Sequence, residues 1–156
     1  MKKIAKPIGW GIGILLAAGL GFVILLTLVA DLLQTNPATL QEPAWNSPQT
    51  RELAKRACFD CHSNETVWPW YDKLPVSSWL AVFDVVRGRR NLNFSEWGTA
   101  RRGDEGREGG EGGGDISEVI LEGAMPPAIY TSMHPEAILS PAEKELLIDG
   151  LSKSLK

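Results

Sequence analysis

At 156 residues, the chain has room for one domain and an accessory segment. A content of 44% hydrophobic and 22% charged residues is that of an ordinary globular protein, while 16 glycines and 10 prolines point to a body rich in loops. The formal net charge of −3 is unevenly spread: Lys2, Lys3 and Lys6 are the only charges before Asp31, leaving 13 basic against 19 acidic residues beyond, net −6, which argues against nucleic acid or anionic lipid and suits a basic protein partner.

Residues 1–33 read as a short basic head followed by a transmembrane signal-anchor. Pro7–Ala30 contains no charge, and Ile8–Ala30 alone is 23 residues, whereas about 20 apolar residues cross a bilayer and a signal-peptide core has about 7–15. The rival is a leader cleaved after Leu28-Val29-Ala30, but Leu28 is too large for the small-x-small rule. In both cases the lysines stay cytoplasmic and the body is exported. Residues 34–46, with Pro37 and Pro43 and no periodicity, read as an extended linker to a domain over 47–156.

Ser47-Pro48 has the form of an N-cap with proline at the first helical position. Thr50, Leu53, Ala54, Ala57 and Cys61 then recur at helical spacing, so an amphipathic helix delivers Cys58-Phe59-Asp60-Cys61-His62 from its end. C-x-x-C-H is the signature of covalent c-type haem attachment. Each thiol adds to one vinyl group of the haem edge, and the adjacent histidine becomes an axial iron ligand. Cys58 and Cys61 are the only cysteines. A disulfide between them leaves His62 unexplained, a thioredoxin-like pair needs a βαβ context, and a Cys₂His₂ zinc site needs His134 as well.

Beyond the motif, Trp68, Trp70 and Tyr71 crowd a proline-broken loop. With no helical face to bury, they are candidates to cover a haem face, against simple packing in a small core. Ser77 or Ser78 caps a helix with Trp79, Val82, Phe83 and Val86 as its apolar stripe and Gly88 as its C-cap. Arg87, Arg89 and Arg90 are either a solvated helix end or a haem-propionate clamp, with Arg89 and Arg90 the candidates. Leu92, Phe94 and Trp97 look buried, and residues 103–115 read as a mobile glycine-rich loop. Asp115–Glu118 has capping-box form for a short helix that Gly123 stops, and Ser140-Pro141-Ala142-Glu143 opens a closing helix with Leu147, Gly150, Leu151 and Leu155 on one stripe. Gly150 there permits close approach of another helix, the one before the haem motif being the natural partner.

The second axial position falls to Met125, Met133, His134 or water. Met125 is followed by Pro126 and Pro127, which restrict its backbone and remove two amide donors, so it leads as a distal thioether ligand; His134 is the alternative, giving a bis-histidine iron of lower potential.

Cys58–Thr66 (CFDCHSNET), Trp68–Tyr71 (WPWY), Pro75–Trp79 (PVSSW), Leu92–Trp97 (LNFSEW), Met125–Pro127 (MPP) and His134–Ala137 (HPEA) together resemble the bacterial haem-binding domain family over roughly residues 42–152. The resemblance implies one covalent haem c on Cys58 and Cys61, His62 as proximal ligand, Met125 as distal ligand by position, and an all-α cytochrome c-like fold behind a membrane segment. The chain departs from that pattern at residues 103–115, where relatives have a charged helix, and at Ala124, where an acidic residue is expected. The expectation is a small helical domain of about four short helices around one haem, behind a transmembrane helix in the inner membrane of a bacterium, with its body in the periplasm. The leading function is one-electron transfer with an unknown redox partner. A haem enzyme or gas sensor with a displaceable sixth ligand, or a haem-bearing accessory subunit, are the other readings.

Overall fold

The computed structural model describes residues 5–98 and 116–155, and the glycine-rich stretch 103–115 and the Asp115 cap lie outside them. The chain is all-helical, with no strand among the described residues. Its helices are α1 (Ala5–Leu33), α2 (Pro48–Ala57), α3 (Phe59–His62), α4 (Ser77–Asn91), α5 (Ile116–Leu121), α6 (Ala128–Met133) and α7 (Pro141–Ser154), with 3₁₀ turns at Trp70–Lys73 and Pro135–Ala137. They divide into two compact units. The first joins the chain up to Thr35 with Trp68–Phe83, and the second joins Asn36–Val67 with the chain from Asp84 onward.

In the first unit, Gly9–Leu33 of α1 is long and apolar enough to cross a membrane. Its side chains stand almost wholly exposed, Trp10, Leu15 and Leu16 among them, which in water is an untenable surface for so long a helix. Among the described residues, it is the last turns of α1 that meet the rest of the unit. Asp31 pairs with Lys73, the Gln34 amide donates to the Asp72 carbonyl at 2.8 Å and accepts from Lys73 at 3.0 Å, and the Trp79 indole N–H donates to the Leu26 carbonyl at 3.1 Å. Packing thus groups residues 68–83 with the apolar helix, a grouping the sequence did not suggest.

The second unit holds the core. Ser47 caps α2 by accepting the Thr50 amide at 3.1 Å, and Thr50, Leu53, Ala54 and Ala57 form its buried face, as the spacing predicts. Leu53, Ala54, Ala57, Phe59, Phe94, Ile120, Leu139, Leu147 and Leu151 make one cluster. Trp45, expected in a linker, packs into it with ring centroids 5.4 Å from Phe94 and 6.1 Å from Phe59. The segment before it is bound as well, because the amides of Leu40 and Gln41 donate to the Ser95 carbonyl and Trp97 donates to the Gln41 carbonyl. Proline there limits helix but leaves most amides free to bond to a neighbouring loop.

The closing helix follows expectation: Ser140 and Glu143 form a full capping box, and Leu147, Gly150 and Leu151 are buried. Gly150 does meet the helix before the haem motif, since a Cβ there would stand 2.2 Å from the Thr50 hydroxyl. Arg56 of α2 bonds Glu143 of α7 at 2.6 Å and closes the same pairing. Gly123 stops the short helix α5 with a φ of +74°, a left-handed conformation that glycine adopts without strain.

Two expectations for α4 need correction. Its buried line is Ser78, Val82, Val85 and Gly88, whereas Phe83 and Val86 face outward and Trp79 turns to α1. Nor does the helix end at Gly88, for it runs on to Asn91 with the Leu92 amide bonded to the Gly88 carbonyl at 2.9 Å. Gly88 is glycine because of a close approach, since a Cβ would lie 2.2 Å from the Cys61 carbonyl oxygen.

Candidate functional site

The chain breaks its helix at the place where it needs two thiols and an imidazole. α2 ends at Ala57, Cys58 takes a non-helical conformation (φ −130°, ψ −34°), and α3 restarts at Phe59 and carries Cys61 and His62. The Cys61 and His62 amides both return to the Cys58 carbonyl, at 3.2 and 2.9 Å, so the pentapeptide closes into one tight turn. Both cysteines lie outside any disulfide and are half-buried. Removal from solvent, and to a lesser degree Cys61, pushes the Cys58 thiol up to about 12.

His62 is held from behind. Its Nδ1 lies 3.1 Å from the Leu92 carbonyl oxygen. A carbonyl only accepts, so Nδ1 is the protonated nitrogen and the lone pair sits on Nε2, the tautomer an iron ligand requires. Burial lowers its pKa, opposed by the carbonyls of Leu92 and Gly88. The His62 carbonyl in turn accepts the Phe94 amide at 2.8 Å. Phe59, between the cysteines, is 1% exposed and stacks on Phe94 at 5.5 Å, which ties the motif to the core.

Behind the motif lies a polar layer that fixes its loop. The Asn64 amide donates to Ser95 Oγ at 2.9 Å, its Nδ2 donates to the Ala38 carbonyl and Glu96 Oε1, and its Oδ1 accepts from Asn93 Nδ2 at 3.0 Å. Arg89 Nε donates to the Ser63 carbonyl at 2.7 Å, and its Nη2 donates to Thr66 Oγ1 and Asn36 Oδ1. Burial lowers the Arg89 pKa, against the charge of Glu96. The arrangement makes Arg89 a clamp on the loop after His62, while Arg90 stands exposed on the last turn of α4.

Sequence reasoning passed over Asp60. The Thr66 hydroxyl donates to its carbonyl at 2.7 Å, the Val67 amide to Oδ1 at 2.9 Å, and the Tyr130 hydroxyl to Oδ2 at 2.7 Å. This last bond pins α6 to the haem motif. Burial, with the Asp60 carboxylate beside it, raises the Tyr130 phenol above its ordinary range and keeps it a donor. The Tyr130 ring stacks on His134 at 4.3 Å, and His134 Nδ1 lies 2.9 Å from Glu136 Oε1. His134 therefore already has partners on both its face and its edge. Met125 is 39% exposed, with its amide bonded to the Val119 carbonyl at 3.0 Å, and Met133 is 53% exposed on α6. Trp68, Trp70 and Tyr71 belong to the first unit, where Trp70 and Tyr71 meet edge to face at 5.9 Å.

The donor set fits a haem. The motif offers two thiols outside any disulfide and a histidine whose Nδ1 is committed to a carbonyl. No disulfide joins the cysteines. Among the described residues no group of three or more His, Cys, Asp or Glu is gathered to hold a metal ion, so Cys₂His₂ zinc does not assemble.

No curated protein and no solved structure matches the chain. A family model, described as a haem-binding domain, matches residues 22–153, a span that takes in the thiols, His62, Met125 and His134 as well as the end of α1. With most of its length covered by that match, the chain belongs to the haem-binding domain family.

Proposed function

We propose that the protein is a membrane-anchored mono-haem c-type cytochrome that passes single electrons at the periplasmic face of a bacterial inner membrane. The observation that carries the reading is the tight turn that gathers Cys58, Cys61 and His62, with the His62 Nδ1 committed to the Leu92 carbonyl. Cys58 and Cys61 hold the haem through thioethers, and His62 presents Nε2 as the proximal ligand. Met125 supplies the distal thioether, with His134 as the alternative ligand. When bound, the haem supplies a one-electron couple, and His/Met ligation raises its potential.

The remaining parts of the chain serve that role. α1 is the anchor, and Lys2, Lys3 and Lys6 hold its start in the cytoplasm. The acidic body, net −6 beyond residue 30, favours a basic redox partner. Arg90, Trp68 and Tyr71 remain candidates for the haem surroundings. A second reading, a sensor or enzyme with a displaceable sixth ligand, is favoured by the exposure of Met125, 39%. Binding of carbon monoxide to the reduced protein separates the two, because a firmly six-coordinate iron resists it.

The direct test is the absorption spectrum of the exported protein. Covalent haem is expected to survive Met125→Ala and His134→Ala, and only Met125→Ala should remove the Met–ferric charge-transfer band. Loss of that band in His134→Ala alone reassigns the ligand. Covalent haem that persists after Cys58→Ala combined with Cys61→Ala would sink the proposal.

A further inference from the structure

We propose that residues 70–83 form a second membrane contact, seated in the interfacial layer of the leaflet where α1 emerges, with Trp70, Val76, Leu80 and Phe83 turned into lipid. The inference rests on the reading of α1 as a membrane anchor.

Depth carries the argument. The Trp79 indole N–H donates to the carbonyl of Leu26 at 3.1 Å, and Leu26 lies seven residues before the end of α1 at Leu33. At about 1.5 Å of rise per residue, that contact is about 10 Å below the end of the helix. It is also inside the charge-free run, which extends to Ala30. Trp79 therefore meets α1 at the depth to which interfacial segments sink, about 5–10 Å below the headgroups.

Polarity is graded in the same direction. Nearer the outer end of α1, Asp31 pairs with Lys73, and Gln34 bonds both the Asp72 carbonyl and Lys73. Charge is thus held at headgroup level and indole below it, the order found where tryptophan and lysine anchor a protein at an interface.

The exposed side chains complete the case. Val76, Leu80 and Phe83 follow the i, i+4, i+7 spacing of one helix stripe, and the Leu80 amide bonds to the Val76 carbonyl at 3.3 Å, so Val76 joins that turn. Their exposures are 73, 60 and 61%, and Trp70 is 73% exposed. A monomer in water does not keep such a stripe uncovered. The stripe belongs to the same compact unit as the exposed apolar helix α1, which Trp79 touches at Leu26, and this makes the bilayer its occupant. For Trp70 this reading displaces the haem-facing one.

The experiment uses the full-length holoprotein in phosphatidylcholine vesicles, with single cysteines at Leu80→Cys and Phe83→Cys carrying a nitroxide. Leu20→Cys in α1 serves as the lipid reference and Ser152→Cys in α7 as the water reference. Wild type should take no label, because both its thiols are in thioethers. The ratio of oxygen to nickel-chelate collisions at Leu80→Cys and Phe83→Cys should exceed that at Ser152→Cys several-fold. If both read like Ser152→Cys while Leu20→Cys reads lipid, the second contact is overturned and the anchor stands. If Leu20→Cys reads water, the anchor itself fails. If the two positions are shielded from both agents, a protein surface or second copy covers the stripe, and the lipid assignment is overturned.

Discussion

Gly88 shows how much a single residue decides here. In the interior of an α-helix, alanine is favoured over glycine by about 1 kcal/mol, so on propensity alone Gly88→Ala stabilises α4. Packing reverses the sign. The added Cβ meets the Cys61 carbonyl oxygen at 2.2 Å and its carbon at 2.9 Å, both backbone atoms of the haem turn that cannot rotate aside. Overpacking of this kind costs about 1–3 kcal/mol. Gly88→Ala is therefore expected to lower the thermal midpoint of the holoprotein by several degrees and to reduce haem incorporation during export. A midpoint that rises would show that α4 and the motif do not approach so closely. In sequence the same glycine reads as a helix stop, because a glycine near an Arg-rich helix end has that meaning far more often than close approach.

At the scale of elements, the haem motif is only as firm as the helices that hold it. α2 delivers the motif, and α7 backs α2 through Gly150 against Thr50 and through the Arg56–Glu143 bond. The Ser140 amide, then Arg56, then the Ser140 hydroxyl hold the Glu143 carboxylate down to about 2, against an ordinary value of 4.5. A carboxylate depressed in the folded state stabilises it above the unfolded pKa, and that contribution is lost as pH falls through the folded one. The window is thus about pH 4.5 to 2. Glu143→Gln should lower the urea midpoint at pH 6, and the gap to wild type should close as pH falls towards 2. A gap that stays constant with pH would mean that the pairing is not electrostatic. This element was legible: Ser140-Pro141-Ala142-Glu143 states its capping chemistry outright, and Ser47-Pro48 does so for α2. The Asp60–Tyr130 bond was not legible, because its partners lie 70 residues apart and neither stands in a local pattern. Asn64, Asn93 and Ser95 fall between these cases. They lie within the recognised stretches Cys58–Thr66 and Leu92–Trp97, but only the fold shows that one stretch is hydrogen-bonded to the other.

For the whole molecule, sequence reading found an apolar helix, a linker and a domain in succession, because periodicity and charge are read along the chain. The fold regroups them by contact: Trp45 leaves the linker for the core, and residues 68–83 join α1. That regrouping bears on how the protein is held at a membrane. Full burial of an apolar side chain contributes about 1.5–3 kcal/mol, so partial burial of Trp70, Val76, Leu80 and Phe83 in an interface contributes roughly 3–6 kcal/mol. That is comparable to one myristoyl chain, which binds reversibly with a constant of about 10⁴ M⁻¹. Residues 69–78 keep their own hydrogen bonds, Asp72 to Pro69, Leu74 to Tyr71 and Ser78 to Leu74, so the segment does not depend on α1 for its turns. A chain of residues 36–156 exported behind a cleavable leader should therefore take up haem, fractionate mainly as soluble, and still bind phosphatidylcholine vesicles weakly. With 13 basic against 18 acidic residues in 36–156, net −5, that binding should not weaken on adding salt, nor strengthen with anionic lipid. Leu80→Ser combined with Phe83→Ser should abolish it. Sedimentation with vesicles at low and high salt reads the outcome. Binding that salt removes would mean that charge, not the apolar stripe, brings the domain to the surface.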